Sequence, residues 1–198
     1  PFANREDITE KISPIYELGL LGSPIKAMTL AMKITDVSGY AALSDGNIKL
    51  VAVLVDRTIS ATGVKWEQYT TGDYTGDKLN GIAIFSESGG TLTLIDSCAR
   101  NVNFWKEPSN TIISSTFTNG PHTLTEGVYW VGMAYNQSAQ TTPPTVGGKS
   151  MAHTIFNKLD FTNNRKLCGT VTVGWGWPAT IDFSTVTENT TVQIVFLY

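Results

Sequence analysis

Between Leu50 and Ile95 the chain reads as strand, turn and strand, with almost no helical alternative. Leu50-Val51-Ala52-Val53-Leu54-Val55 is a short, continuous, largely β-branched run, the composition of a strand buried on both faces. From Val64 to Tyr69 apolar and polar residues alternate at period two, and the pattern breaks only at Gln68 and Tyr69. The tract Thr70 to Gly81 is polar and rich in residues that tolerate positive φ, so it predicts a turn region. Gly81-Ile82-Ala83-Ile84-Phe85 and Thr91-Leu92-Thr93-Leu94-Ile95 then flank Ser86-Glu87-Ser88-Gly89-Gly90, a hairpin signal.

Further strand candidates cover Met28 to Ile34, Ile48 to Val55, Thr111 to Thr118, Gly127 to Asn136, Lys166 to Val173 and Thr190 to Tyr198. Roughly eight to ten such runs, separated by Gly, Pro, Asn and Ser, predict an all-β, antiparallel, jelly-roll-like β-sandwich. Gln137 to Gly148 is the longest loop-like stretch, and the last apolar run predicts a paired C-terminal strand. The first part of the chain differs. Arg5 to Ile12 is charged and suits a short helical turn ended by Pro14, and Ile15 to Pro24 is apolar and broken by Gly and Pro. This divides the chain into a short N-terminal arm, residues 1–35, for attachment or trimerisation, and a sandwich head, residues 36–198.

Composition narrows the function classes. With 27 Thr, 18 Gly and only 16% charged residues among 198, the chain has the profile of a rigid β protein. A net charge of −3 argues against nucleic acid as a partner, since phosphate binding relies on clustered Lys and Arg, and Asn164-Arg165-Lys166 is too small a cluster. No apolar run reaches the length of a membrane helix. Cys98 and Cys168 permit at most one disulfide and read as small core residues.

Signatures of catalysis are incomplete. Gly148-Lys149-Ser150 ends like a phosphate-binding loop, but the glycine required five residues earlier is Pro143, which has no backbone donor. His122 and His153 lack metal-ligand neighbours in sequence, and no Gly-x-Ser-x-Gly elbow occurs. Asp73, Asp77 and Asn80 miss the spacing of a calcium loop and read as turn-capping residues. The expectation is a protein without cofactor or metal and without enzyme activity.

Several short motifs are similar to one family. Asn80-Gly81-Ile82-Ala83-Ile84-Phe85, Gly89-Gly90-Thr91-Leu92-Thr93-Leu94-Ile95, Trp105-Lys106, Gly127-Val128-Tyr129-Trp130-Val131, Tyr135 to Thr142 and Leu159-Asp160-Phe161-Thr162-Asn163 resemble, in order and spacing, the C-terminal β domains of tailed-bacteriophage fibre proteins. The resemblance spans Ile48 to Tyr198 and leaves tail fibre and head fibre open. It implies a virion-surface protein, a homotrimer whose head contacts a host-surface glycan or another virion protein. The N-terminal arm would join it to its virion partner. Two alternatives stand beside it: a capsid- or baseplate-attached part that binds only virion proteins, and a carbohydrate-binding module of a larger enzyme.

Aromatic residues supply the candidate contact surface. Gly174-Trp175-Gly176-Trp177-Pro178 sets two indoles between residues unsuited to a strand interior, and a loop there can offer flat apolar platforms to sugar rings. Tyr69 and Tyr74 flank the Gly72-Asp73 turn and complete the candidate glycan- or receptor-contacting set with Trp175 and Trp177. Trp66, Trp105 and Trp130 sit in strand-like patterns and are expected in the core.

Overall fold

The computed structural model describes residues 26–29, 39–76, 80–150, 158–160, 165–173, 176–189 and 191–198. In chain order the first strands are β1 (Ala27–Thr29), β2 (Gly39–Ala42), β3 (Asn47–Val55), β4 (Ile59–Ala61), β5 (Gly63–Thr70), β6 (Asp73–Gly76) and β7 (Gly81–Ser88). Then follow β8 (Thr91–Ser97), β9 (Thr111–Thr116), β10 (His122–Leu124), β11 (Gly127–Tyr135), β12 (Gln137–Thr142), β13 (Thr145–Ser150) and β14 (Lys158–Asp160). The last are β15 (Arg165–Lys166), β16 (Cys168–Thr172), β17 (Thr180–Asp182), β18 (Thr187–Glu188), β19 (Thr191–Gln193) and β20 (Val195–Leu197). A 3-10 turn, Phe183–Thr185, follows β17. The fold is all β, built from curled antiparallel sheets.

The apolar run Leu50 to Val55 lies at the centre, as its composition predicts. β3 pairs with β11 along its whole length, β11 with β7, β7 with β8 and β8 with β17. The other edge of β3 is shared: β16 takes Asn47 to Val51 and β1 takes Val53 and Leu54. From β1 the ladder continues through β20 to β5, and from β5 to β9 and β13. Because side chains alternate across a strand, β3 feeds two cores. Val51, Val53 and Val55 join the larger one with Trp66, Trp105, Val131, Met133 and Tyr135. Ile48, Leu50 and Ala52 join the smaller one with Phe85, Leu92, Trp130, Val171, Ile181 and Val186.

Gly89 and Gly90 close the β7–β8 hairpin at φ +57° and +83°, the paired positive values of a tight primed turn. Trp66, Trp105 and Trp130 are buried as expected, and Cys98 and Cys168 stay as separate buried thiols. The break in alternation at Gln68 and Tyr69 has two physical causes. Gln68 keeps to the inward face but is polar because it works there: it accepts the Trp66 indole N–H at 3.2 Å and donates to the Trp105 carbonyl at 3.3 Å. Tyr69 is the extra residue of a β-bulge, since Gln68 opposes Val146 while Thr70 opposes Thr145.

Three expectations are corrected. Gln137 to Gly148 is not a loop: it forms β12 and the start of β13, joined through Pro143 and Pro144. The supposed turn tract contains β6, which pairs with β12 in an irregular two-stranded ribbon. Most of β12 faces solvent, so it carries Ser, Gln and Thr and shows no apolar alternation. The terminal run is two strands, because Ile194 leaves the ladder and donates its N–H to Gly147 at 3.1 Å. Ala27–Thr29 overlaps the strand expected from Met28 and is held between β3 and β20. The rest of the arm, residues 1–25 and 30–35, lies outside the described residues.

Candidate functional site

The small core is covered on one side by two strands that do not pair with each other. β16 ends the sheet beyond β3 with only the two-residue β18 outside its partner edge, and β17 ends it beyond β8. Alternation places Val171 and Ile181 inward, while Thr172, Thr180 and Asp182 point outward. Between these strands runs a groove of about 390 Å³, with Val171, Val173, Ile181, Trp177 and Pro178 as its apolar lining and Thr172, Thr180, Thr185 and Asp182 as its polar lining. That size falls within the range of small-molecule sites.

The loop from β16 to β17 supplies the indole. Gly176 has φ +116°, a conformation that favours glycine, and it swings the chain so that Trp177 lies over the small core. The Trp177 ring meets Phe85 edge-on, with centroids 6.1 Å apart at 66°. A Cβ on Gly176 would lie 3.6 Å from the Arg100 guanidinium, which puts a cation beside this end of the groove. The Trp177 indole N–H is buried and has no acceptor among the described residues. Every other described tryptophan has one: Trp66 donates to Gln68, Trp105 to the Ala134 carbonyl at 2.9 Å, and Trp130 to Glu87 at 3.1 Å. A buried donor left without a partner costs about 1–3 kcal/mol.

Asp182 belongs to the polar lining. It caps the 3-10 turn by accepting the Ser184 N–H at 2.9 Å, and its own carbonyl accepts the Thr185 hydroxyl at 2.7 Å. Hydrogen bonds from the Ser184 side chain and amide hold its carboxyl below the usual range, so it is anionic at neutral pH. Thr172 donates its hydroxyl to Asn47 Oδ1 at 2.9 Å, which leaves its oxygen as an acceptor.

Of the four residues expected in the contact surface, Trp177 lines the groove and Trp175 lies outside the described residues. Tyr69 is elsewhere, its ring stacked on Tyr40 with centroids 3.5 Å apart at 16°. The bulge re-aims Tyr69, and Tyr40 is 52% exposed. Tyr74 is a correction: it is buried, packs edge-on against Tyr135 and accepts the Trp105 backbone N–H at 3.1 Å. Its ring also lies under the Lys106 ammonium, so it offers no open face to a sugar. Asp182, Arg100 and the threonines went unnoticed in sequence, where only the Asp-x-Ser spacing of the turn cap hints at Asp182.

A second polar cluster is structural. Asp96, 4% exposed, accepts from His122 Nε2 at 2.7 Å and from the backbone N–H groups of Ser97 and Asn119 at 2.8 and 2.9 Å. Burial pushes its carboxyl upward, but these hydrogen bonds outweigh that and hold it below the usual range. Beside it, burial pushes the Cys98 thiol up to about 11, which removes the thiolate needed for nucleophilic chemistry. Asn80, expected as a turn cap, is buried and bridges loops by accepting the Asn136 N–H at 3.0 Å and donating to the Asn136 carbonyl at 3.1 Å. Asp73 is exposed on β6, and Asp77 and His153 lie outside the described residues.

No protein-family model matches this chain, and no curated protein matches it.

Proposed function

We propose that this chain is the adhesion head of a virion fibre of the tailed-bacteriophage type, a non-enzymatic homotrimer that holds a host-surface saccharide in the groove between β16 and β17. The observation that carries the reading is the groove itself, where the Trp177 indole lies among apolar and hydroxyl-bearing side chains. Sugar rings suit such a site because their C–H faces pack on apolar side chains while their hydroxyls meet the polar ones. Three weak grooves on one rigid head would gain avidity through effective concentration. The N-terminal arm would serve the junction with the virion, and a jelly-roll-like head would set the three grooves at its far end.

Light scattering behind a sizing column tests the assembly, and retention of the labelled protein on host cells tests adhesion. A mass near three times 21.5 kDa, with retention reduced by Trp177→Phe, is the expected result. A monomer that still binds sugar would replace this reading with a carbohydrate-binding module of a larger enzyme. A trimer that ignores cells would replace it with a structural part that binds only virion proteins.

A further inference from the structure

We infer that the groove selects a neutral hexopyranose unit over an anionic sugar, and that Asp182 makes the choice. This rests on the reading of the groove as a saccharide site and names the class of sugar it takes. Asp182 is the one charged side chain among the described residues that line the groove. A carboxylate offers about four lone-pair sites. Ser184 holds this one from the side of the turn, so acceptor capacity remains toward the groove.

The neighbouring hydroxyls point the same way. Thr185 commits its proton to the Asp182 carbonyl and Thr172 commits its proton to Asn47. Both therefore present oxygen to a ligand as acceptors. With Asp182 they form an acceptor-rich wall, the complement of a ring that carries several hydroxyl donors. A uronate or sialic acid carboxylate placed there would meet the like charge of Asp182, with the Thr180 hydroxyl as a donor in the lining. Val171, Ile181 and Val173 form the apolar floor on which the C–H face of such a ring packs. Trp177 adds an indole to the apolar lining, while its buried N–H is out of a ligand's reach. Arg100, next to Gly176, is not among the described lining residues.

The experiment is a binding series on the intact chain. An immobilised panel of neutral hexose oligosaccharides and their uronic and sialylated counterparts is probed, and the strongest binders are then titrated by tryptophan fluorescence. Neutral sugars are expected to bind, and Asp182→Asn, which keeps an oxygen for the turn cap, should weaken them about tenfold. Thr180→Val, on the same wall but outside any cap, provides a second variant, and thermal unfolding confirms that both are folded. Arg100→Ala should leave neutral binding within about twofold. Stronger binding of acidic glycans, lost with Arg100→Ala, would overturn the inference and leave the adhesion reading intact. Unchanged neutral binding in both folded groove variants would likewise overturn it. If no glycan of either class binds, the saccharide site fails together with the inference, and cell retention then decides whether adhesion uses another surface.

Discussion

The two cores lie on opposite faces of β3, β7 and β11, and they are closed in different ways. On the larger side the ladder runs on through β1, β20 and β5, and the polar groups at its aromatic centre are matched. Gln68 links Trp66 to Trp105, Tyr74 receives the Trp105 backbone N–H, and the Tyr135 hydroxyl donates to Gln140 at 3.0 Å. On the smaller side β16 and β17 stop without pairing with each other, and the loop over that gap leaves the Trp177 N–H without an acceptor among the described residues. Around that aromatic centre the fold itself supplies the hydrogen-bond partners. Where the sheet stays open it leaves a groove.

Substituting the two kinds of tryptophan gives the largest contrast. Trp105→Ala should cost about 3–5 kcal/mol, because it empties a fully buried site. Trp177→Ala should cost about 1–2 kcal/mol, since that ring is partly exposed and its N–H has no acceptor among the described residues. Urea unfolding midpoints compare them, and equal losses would show the two cores to be closed alike. Next comes Gly132→Ala, whose methyl would lie 2.9 Å from Ile48 Cγ2 and 3.0 Å from Phe85 Cε2 on the small-core face. Overpacking there should cost about 1–3 kcal/mol and loosen the groove floor, seen as weaker ligand binding at unchanged Trp177.

Asp96→Asn should cost about 1–2 kcal/mol near neutral pH by unsettling the donors from His122, Ser97 and Asn119. The Asp96 carboxyl is depressed in the folded state, so its contribution is complete above the unfolded carboxyl value of about 3.9 and is lost as pH falls through the folded value. An acid titration of stability should therefore be flatter in the variant; parallel curves would assign the acid loss to other groups. The smallest effect is expected at the hairpin tip, where Gly89→Ala at φ +57° should cost about 1 kcal/mol and leave both cores unchanged by near-ultraviolet dichroism.

The strands that face apolar surroundings were legible because burial writes a pattern. Leu50 to Val55 was continuous because β3 is covered on both sides, and Gly89-Gly90 announced its turn through the φ values it needs. β6 and β12 were hidden for the opposite reason: a ribbon largely open to water needs no apolar face, so Thr, Gln and Gly conceal it. The candidate site was half legible. Trp177 stood out as an indole between Gly176 and Pro178, residues a strand avoids, but Tyr74 looked alike and is buried under Tyr135 and Lys106. Asp182 and Thr172 had no signal as partners, since nothing in their own neighbourhoods refers to the other strand.

The amino-acid order by itself determined the all-β class, the extent of the long central strands, the hairpin turn and the inward placement of Trp66, Trp105 and Trp130. These depend on alternation and turn chemistry, which act over a few residues. Only the tertiary structure decided that β3 divides its edge between β1 and β16, that β1 meets β20 near the opposite end of the chain, and that β16 and β17 leave a groove between them. Period-two patterning specifies which face of a strand is buried but not which strand lies beside it. That choice is made by long-range pairing, and here it decides that Trp177 and Asp182 line one groove.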